Sequence, residues 1–341
     1  MEKTFDIFSK NTNLWFHRLA FGEITSIEIY LINKYCKLML VGGHGLIMPG
    51  SNKNNNSGWG FNIKINNLRK LKVPLVFFAI GYNVFNGEDN FISVFREHIR
   101  LCVEKSAFFG LRNYGSINSV KKYLPDYLHD KVKYQPCPAT MIERGINQVI
   151  AIKTDNNEIG ISVAFNNFEK RFGSNYLESF EQLLEYCKFM KKEGYKITFF
   201  GHHVFDKHSK YAKYFDNSGY PILPLYKYSE NDVYKFYKSK KLIIGMRGHS
   251  LMIPFGLTVP LISLETQEKQ KWFIETTNHN EWNIKITDNI YEKLLKITMA
   301  ILEDYDYVKS EIKRLQEINE KITKENINYI LNIIENNKNG A

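Results

Sequence analysis

Short runs of β-branched and aromatic residues alternate with amphipathic stretches along most of the chain. Buried strands are expected at Lys37 to Val41, Leu75 to Ile80, Ala107 to Leu111, Ile159 to Val163, Ile197 to Phe200, Leu242 to Ile244 and Leu261 to Leu264. Between them, Phe91 to Val103, Ser116 to Leu124, Tyr176 to Lys192 and Asp232 to Tyr237 carry helical spacing. Strand-helix alternation of this kind predicts an α/β fold with parallel, doubly wound sheets.

The alternation pauses between Gln135 and Asn157, where Pro136 and Pro138 precede a polar, Asn-rich stretch. A domain boundary is placed there, giving Rossmann-like domains over residues 1–150 and 151–303. Residues 304–341 follow as one or two amphipathic helices, with Ile312, Leu315, Ile318, Ile322, Ile327, Ile330 and Ile333 on a helical period. They are expected to pack on either domain or to bridge both. Asn52 to Ser57, between Gly50 and Gly58, is the best candidate for a mobile loop. No repeat of fixed period is evident.

Length and composition agree: 341 residues, 44% hydrophobic and 24% charged, suit two globular domains with substantial cores. Lys and Arg exceed Asp and Glu by ten, which favours anionic partners. The basic residues are scattered singly and in pairs such as Lys121-Lys122, so nucleic acid is not expected as a partner. Four separated cysteines with no metal-ligand spacing fit a reducing, cytoplasmic setting. The N-terminal sequence lacks a signal-peptide core, and the most apolar windows are too short to span a bilayer.

Candidate chemistry is densest at Leu242 to Ile253, where a buried strand runs into Met246-Arg247-Gly248-His249 and an apolar helix leaves the turn. Ligands of parallel α/β sheets bind outside the carboxyl ends of strands. Arg247 there could grip a phosphate or carboxylate bidentately, beside backbone N–H groups of the helix start. His249 could exchange a proton near neutral pH. The same residues also fit a structural role, with Arg247 paired to a surface carboxylate and His249 capping the helix.

Three further strand ends carry polar groups. Gly42-Gly43-His44-Gly45 could let a ligand approach the backbone, although it is neither a dinucleotide fingerprint nor a phosphate-binding P-loop. Arg112 follows another strand as a second anion clamp, with Ser116 positioned to cap the next helix. His202, His203, Asp206 and His208 cluster after Ile197 to Phe200, yet their spacing matches no metal site, so none is expected. Lys269 and Glu265 follow the last of these strands as pocket-rim charges. Two Arg-bearing strand ends, one per domain, suggest an anionic donor held in an interdomain cleft.

In order and type, these residues resemble the polysaccharide pyruvyl transferase family. The resemblance rests on Met246-Arg247-Gly248-His249, Gly256, Pro260 and Lys269, with support from Gly42 to Gly45, Gly81, Arg112, Ser116, Ser119, Pro138, Ile159 to Ser162, His203 and Asp206. It covers about residues 20 to 275. Asn113, where the family usually has an acid, and the loose Phe21-Gly22-Glu23 start are departures.

The resemblance implies a glycosyltransferase-B-like fold, with the acceptor on the first domain and the donor on the second. It further implies phosphoenolpyruvate as donor, a sugar or lipid-linked oligosaccharide acceptor and a pyruvate ketal as product. Carried onto this chain, Arg247 and Arg112 would hold the donor, and His249 would protonate its methylene carbon. Gly43, His44, Gly45, Ser116, His203 and Lys269 would bind substrate. No cofactor is implied. Peripheral contact with the inner face of the membrane is compatible, and the oligomeric state is left open. A glycosyltransferase using a nucleotide sugar and a non-catalytic glycan- or lipid-binding protein are the alternatives.

Overall fold

The computed structural model describes residues 2–12, 14–19, 22–49, 54–85, 90–145, 157–286 and 289–336. Two compact units divide the chain: Met1–Pro138 with Asn319–Ala341, and Ala139–Ile318. The boundary expected at residue 150 lies outside the described residues.

In the first unit, β1 (Met39–Gly42), β2 (Leu75–Ile80), β3 (Ser106–Leu111) and β4 (Val132–Tyr134) form a parallel sheet in that order. Every residue of β2, LVFFAI, is buried, as a central parallel strand covered on both faces requires. Alternation sends its side chains to opposite faces. Phe77 meets Trp59, Phe61 and Phe109 on one face, while Val76 and Phe78 meet Phe8, Ile327, Ile330 and Ile334 on the other.

The second unit holds β5 (Glu158–Val163), β6 (Lys196–Gly201), β7 (Ile222–Pro224), β8 (Leu242–Gly245), β9 (Leu261–Glu265) and β10 (Asn283–Lys285). All pair in parallel, in the order β10-β9-β8-β5-β6-β7. The chain runs outward from β5 through β6 and β7, then returns to β8 on the other side of β5. The carboxyl ends of β5 and β8 therefore flank the topological switch point, where doubly wound sheets bind ligands. Gly256, in the helix between β8 and β9, lies against the backbone of Ala139, whose carbonyl oxygen would be 2.0 Å from any Cβ there.

The seven expected strands all form, within two residues at each end. Three-residue β4, β7 and β10 add to them. The C-terminal stretch is one helix, Tyr305–Asn336, and not two. Its Gln316 donates to the Phe255 carbonyl in the second unit, and its Ile327, Ile330 and Ile334 join the core of the first. Of the loop expected to be mobile, residues 52–53 lie outside the described residues. Asn54 to Ser57 instead form a turn closed by Ser57 N–H donating to Asn54 Oδ1 at 2.9 Å, with Ser57 fully buried.

Candidate functional site

At the switch point of the second unit, the loops after β5, β6 and β8 converge on one carboxylate. Asp206 is fully buried; it accepts N–H bonds from Phe165 after β5 and His203 after β6, each at 3.0 Å. Arg247, two residues past β8, grips it with Nη2 at 2.5 Å and Nε at 3.2 Å. The partner of Arg247 is therefore a buried carboxylate, not a surface one. A bidentate, charge-assisted pair of this kind fixes the guanidinium plane.

A second guanidinium stands beside this pair. Arg171 is 5% exposed and donates from Nε to the Asn166 carbonyl and from Nη1 to Thr266 Oγ1, each at 2.9 Å. Desolvation, reinforced by the charge of Arg247 and opposed by Asp206, pushes its pKa down to about 10. Two cations over one carboxylate leave the strand ends with an excess of positive charge. His202 lies in the same field: enclosure beside Phe200 and Tyr237, and then the charge of Arg247, lower its pKa to about 4. It is thus a neutral imidazole, hydrogen-bonded to the Tyr237 hydroxyl at 2.6 Å.

The turn carrying Arg247 is held rigidly. Ser250 Oγ accepts the Arg247 N–H at 3.0 Å and donates to its carbonyl at 2.8 Å. Gln270 donates to the carbonyls of Gly245 and Leu264, and Thr266 Oγ1 donates to that of Met246. His249 is exposed and begins the helix His249–Gly256, whose N-cap is Gly248, so His249 is not its cap. Lys269, half-buried, sits next to Gln270 on the helix Glu268–Glu275. His203 caps its own short helix, Nδ1 accepting the Phe205 N–H at 3.3 Å.

The strand ends of the first unit hold a different kind of cation. Arg112, directly after β3, is 6% exposed, and among the described residues its Nε meets no acceptor. Desolvation lowers its pKa, opposed by the neighbouring Cys137. Among the described residues, the buried Nδ2 of adjacent Asn113 has no acceptor either. Gly81, at the end of β2, makes room for it: a Cβ there would lie 2.5 Å from Nε. Unfilled buried donors are costly, so a pair of them at strand ends is suited to an oxygen-rich ligand.

Several expected binding groups have structural partners here. Asn113, not Ser116, caps the helix Tyr114–Lys121, accepting the Ser116 N–H at 2.8 Å. The fully buried Ser116 hydroxyl accepts the Tyr82 N–H at 3.0 Å, tying the ends of β2 and β3 together. Gly43 and His44 turn the chain with φ of 75° and 62°. The Gly43 N–H is committed to Phe78 O, and His44 O accepts the Gly81 N–H, while Gly45 packs on Asn83. Sequence reasoning missed Arg171, whose signal was a basic residue in an aromatic helix start, and the roles of Ser250 and Gln270. Among the described residues, no three His, Cys, Asp or Glu side chains group as metal ligands.

Residues 2–268 match the model of a family described as polysaccharide pyruvyl transferase. No curated protein matches the chain. Among solved structures, a Listeria monocytogenes protein described as a UDP-N-acetylglucosamine 2-epimerase is similar, with a TM-score of 0.57, 14% identity, and coverage of 95% of this chain and 83% of that one. The UDP-GlcNAc 2-epimerase of Neisseria meningitidis, bound to UDP-GlcNAc, gives a TM-score of 0.53 and 15% identity, covering 91% and 83%. These are likenesses of fold: two Rossmann-like domains of the glycosyltransferase-B kind.

Proposed function

Because the chain belongs to the polysaccharide pyruvyl transferase family, we propose that it moves a pyruvyl group from phosphoenolpyruvate to a sugar of a polysaccharide or its lipid-linked precursor, forming a pyruvate ketal. The observation that carries this reading is the cluster at the switch point, where Arg247 grips the carboxylate of Asp206 and Arg171, bonded to Asn166 O and Thr266 Oγ1, adds a second positive charge beside it. A small, multiply negative donor suits that excess of positive charge.

In this reading Arg247 orients the donor, and Arg112, with its unfilled Nε beside Asn113 Nδ2, supplies anion binding on the first unit. His249, as imidazolium, protonates the methylene carbon as a sugar hydroxyl adds to C2, forming the new C–O bond and passing the hydroxyl proton to solvent. The bond from C2 to the phosphate oxygen then breaks, and phosphate leaves with the electron pair. Guanidinium groups stabilise the charge that develops on it. A second hydroxyl adds to C2 and returns its proton to His249, closing the ketal. Atoms balance as donor plus diol giving ketal plus phosphate, with no redox step.

The test is incubation with phosphoenolpyruvate and a panel of glycan acceptors, following phosphate release and the mass of the acceptor. Equimolar phosphate and an acceptor heavier by one pyruvyl group less water are expected. Turnover of a nucleotide sugar with release of nucleoside diphosphate, and none of phosphoenolpyruvate, would overturn the reading.

A further inference from the structure

The first unit carries an apolar face that the described residues leave open. Among the described residues, eighteen large hydrophobic side chains are exposed, and six of them fall between residues 15 and 35: Trp15, Leu19, Ile27, Tyr30, Leu31 and Tyr35. The helix Ser26–Tyr35 is apolar on both sides; Ile29 and Ile32 pack inward, while Ile27, Tyr30, Leu31 and Tyr35 face out. A soluble surface helix usually presents a polar outer face. Behind this one lies a cavity of about 950 Å³, whose walls include Trp15, Leu19, Leu31, Tyr35 and the edge strand β1.

Charge and aromatic placement indicate what covers the face. Exposed Arg18, Lys34 and Lys37 rim it, with Lys34 Nζ 5.7 Å and 5.2 Å from the ring centroids of Tyr30 and Tyr35. The one acid of the helix, Glu28, is turned into the capping box, accepting from Thr25 N and Oγ1 at 2.7 Å and 2.9 Å. Tyr and Trp with basic stems at their margin suit the boundary between hydrocarbon and headgroups. Basic residues there attract anionic lipid.

We propose that this face docks the protein on an anionic phospholipid surface, Trp15 and the outer residues of the helix entering the headgroup boundary. The proposal does not depend on the transfer reaction. Its test is sedimentation of the purified full chain with vesicles of phosphatidylglycerol and phosphatidylcholine, alongside phosphatidylcholine alone. Of the four tryptophans only Trp15 is fully exposed, Trp59 and Trp282 being buried and Trp272 half-buried, so its emission should shift to the blue on binding.

The double variant Ile27→Ser, Tyr30→Ser should need roughly tenfold more lipid for half-binding, with unchanged circular dichroism and melting. Lys34→Gln with Lys37→Gln should weaken binding to anionic vesicles only. No binding, or equal binding by the apolar double variant, would overturn the proposal. So would concentration-dependent dimers abolished by that variant, which would assign the face to a second copy.

Discussion

Replacing Arg112 by Met should stabilise the protein while disabling it. The side chain is almost wholly buried, no acceptor among the described residues meets its Nε, and its charge is held against the pull of desolvation. An unpartnered buried donor costs about 1–3 kcal/mol, and more when charged. Methionine of similar length removes that cost and keeps most of the packing. A gain of about 1–3 kcal/mol is expected, a rise of roughly 2–10 °C in Tm for a unit of this size. If Arg112 binds an anionic substrate group as proposed, its loss should lower kcat/KM by about two orders of magnitude or more. Urea denaturation and phosphate-release kinetics on the same preparation give both numbers. A variant destabilised by more than ~1 kcal/mol with unaltered dependence on phosphoenolpyruvate would refute the reasoning, because Arg112 would then serve the fold and not a ligand.

Three other outcomes follow from the same contacts. Asp206→Asn leaves half-buried Arg247 and buried Arg171 without their counter-charge and should cost about 3–5 kcal/mol, read by denaturation; a double-mutant cycle with Arg247→Met should show coupling above ~1 kcal/mol. His98 is buried, accepts from Trp59 Nε1 and bonds to Ile63 O, and desolvation lowers its pKa to about 4. Its folded value lies below the ordinary 6.5, so its contribution is complete above that pH and is lost as pH falls toward 4, amounting to about 3 kcal/mol. His98→Gln should flatten that acid limb, and a ring titrating near 6.5 by NMR would contradict it. Gly256→Ala must displace the Ala139 carbonyl, 2.0 Å from the new Cβ, and should lower Tm by roughly 6 °C or more.

The sequence made the central strands legible because each is a continuous apolar run bounded by polar turns, as at Leu75 to Ile80 and Leu261 to Leu264. Strands β4, β7 and β10 were not legible: three residues each give no period to detect, and sheet pairing alone defines them. Arg247 and His249 stood out as polar breaks in an apolar segment. Arg171 did not, since it lies among Phe168, Lys170 and Phe172 and acquires meaning only when Asp206, far along the chain, is brought beside it. Ser116 illustrates the converse. Its position after an Arg-bearing strand suggested a helix cap, whereas Asn113 caps that helix and the Ser116 hydroxyl accepts the Tyr82 N–H.

One carboxylate that anchors the ends of three strands also sets how this region can change. A substitution that frees Arg247 releases Phe165 and His203 at the same moment, so drift toward a new ligand cannot proceed loop by loop. Natural variation should therefore enter at the periphery, through Lys269 and the exposed His208. Position 206 would then act as an evolutionary keystone, replaced only together with its neighbours or not at all.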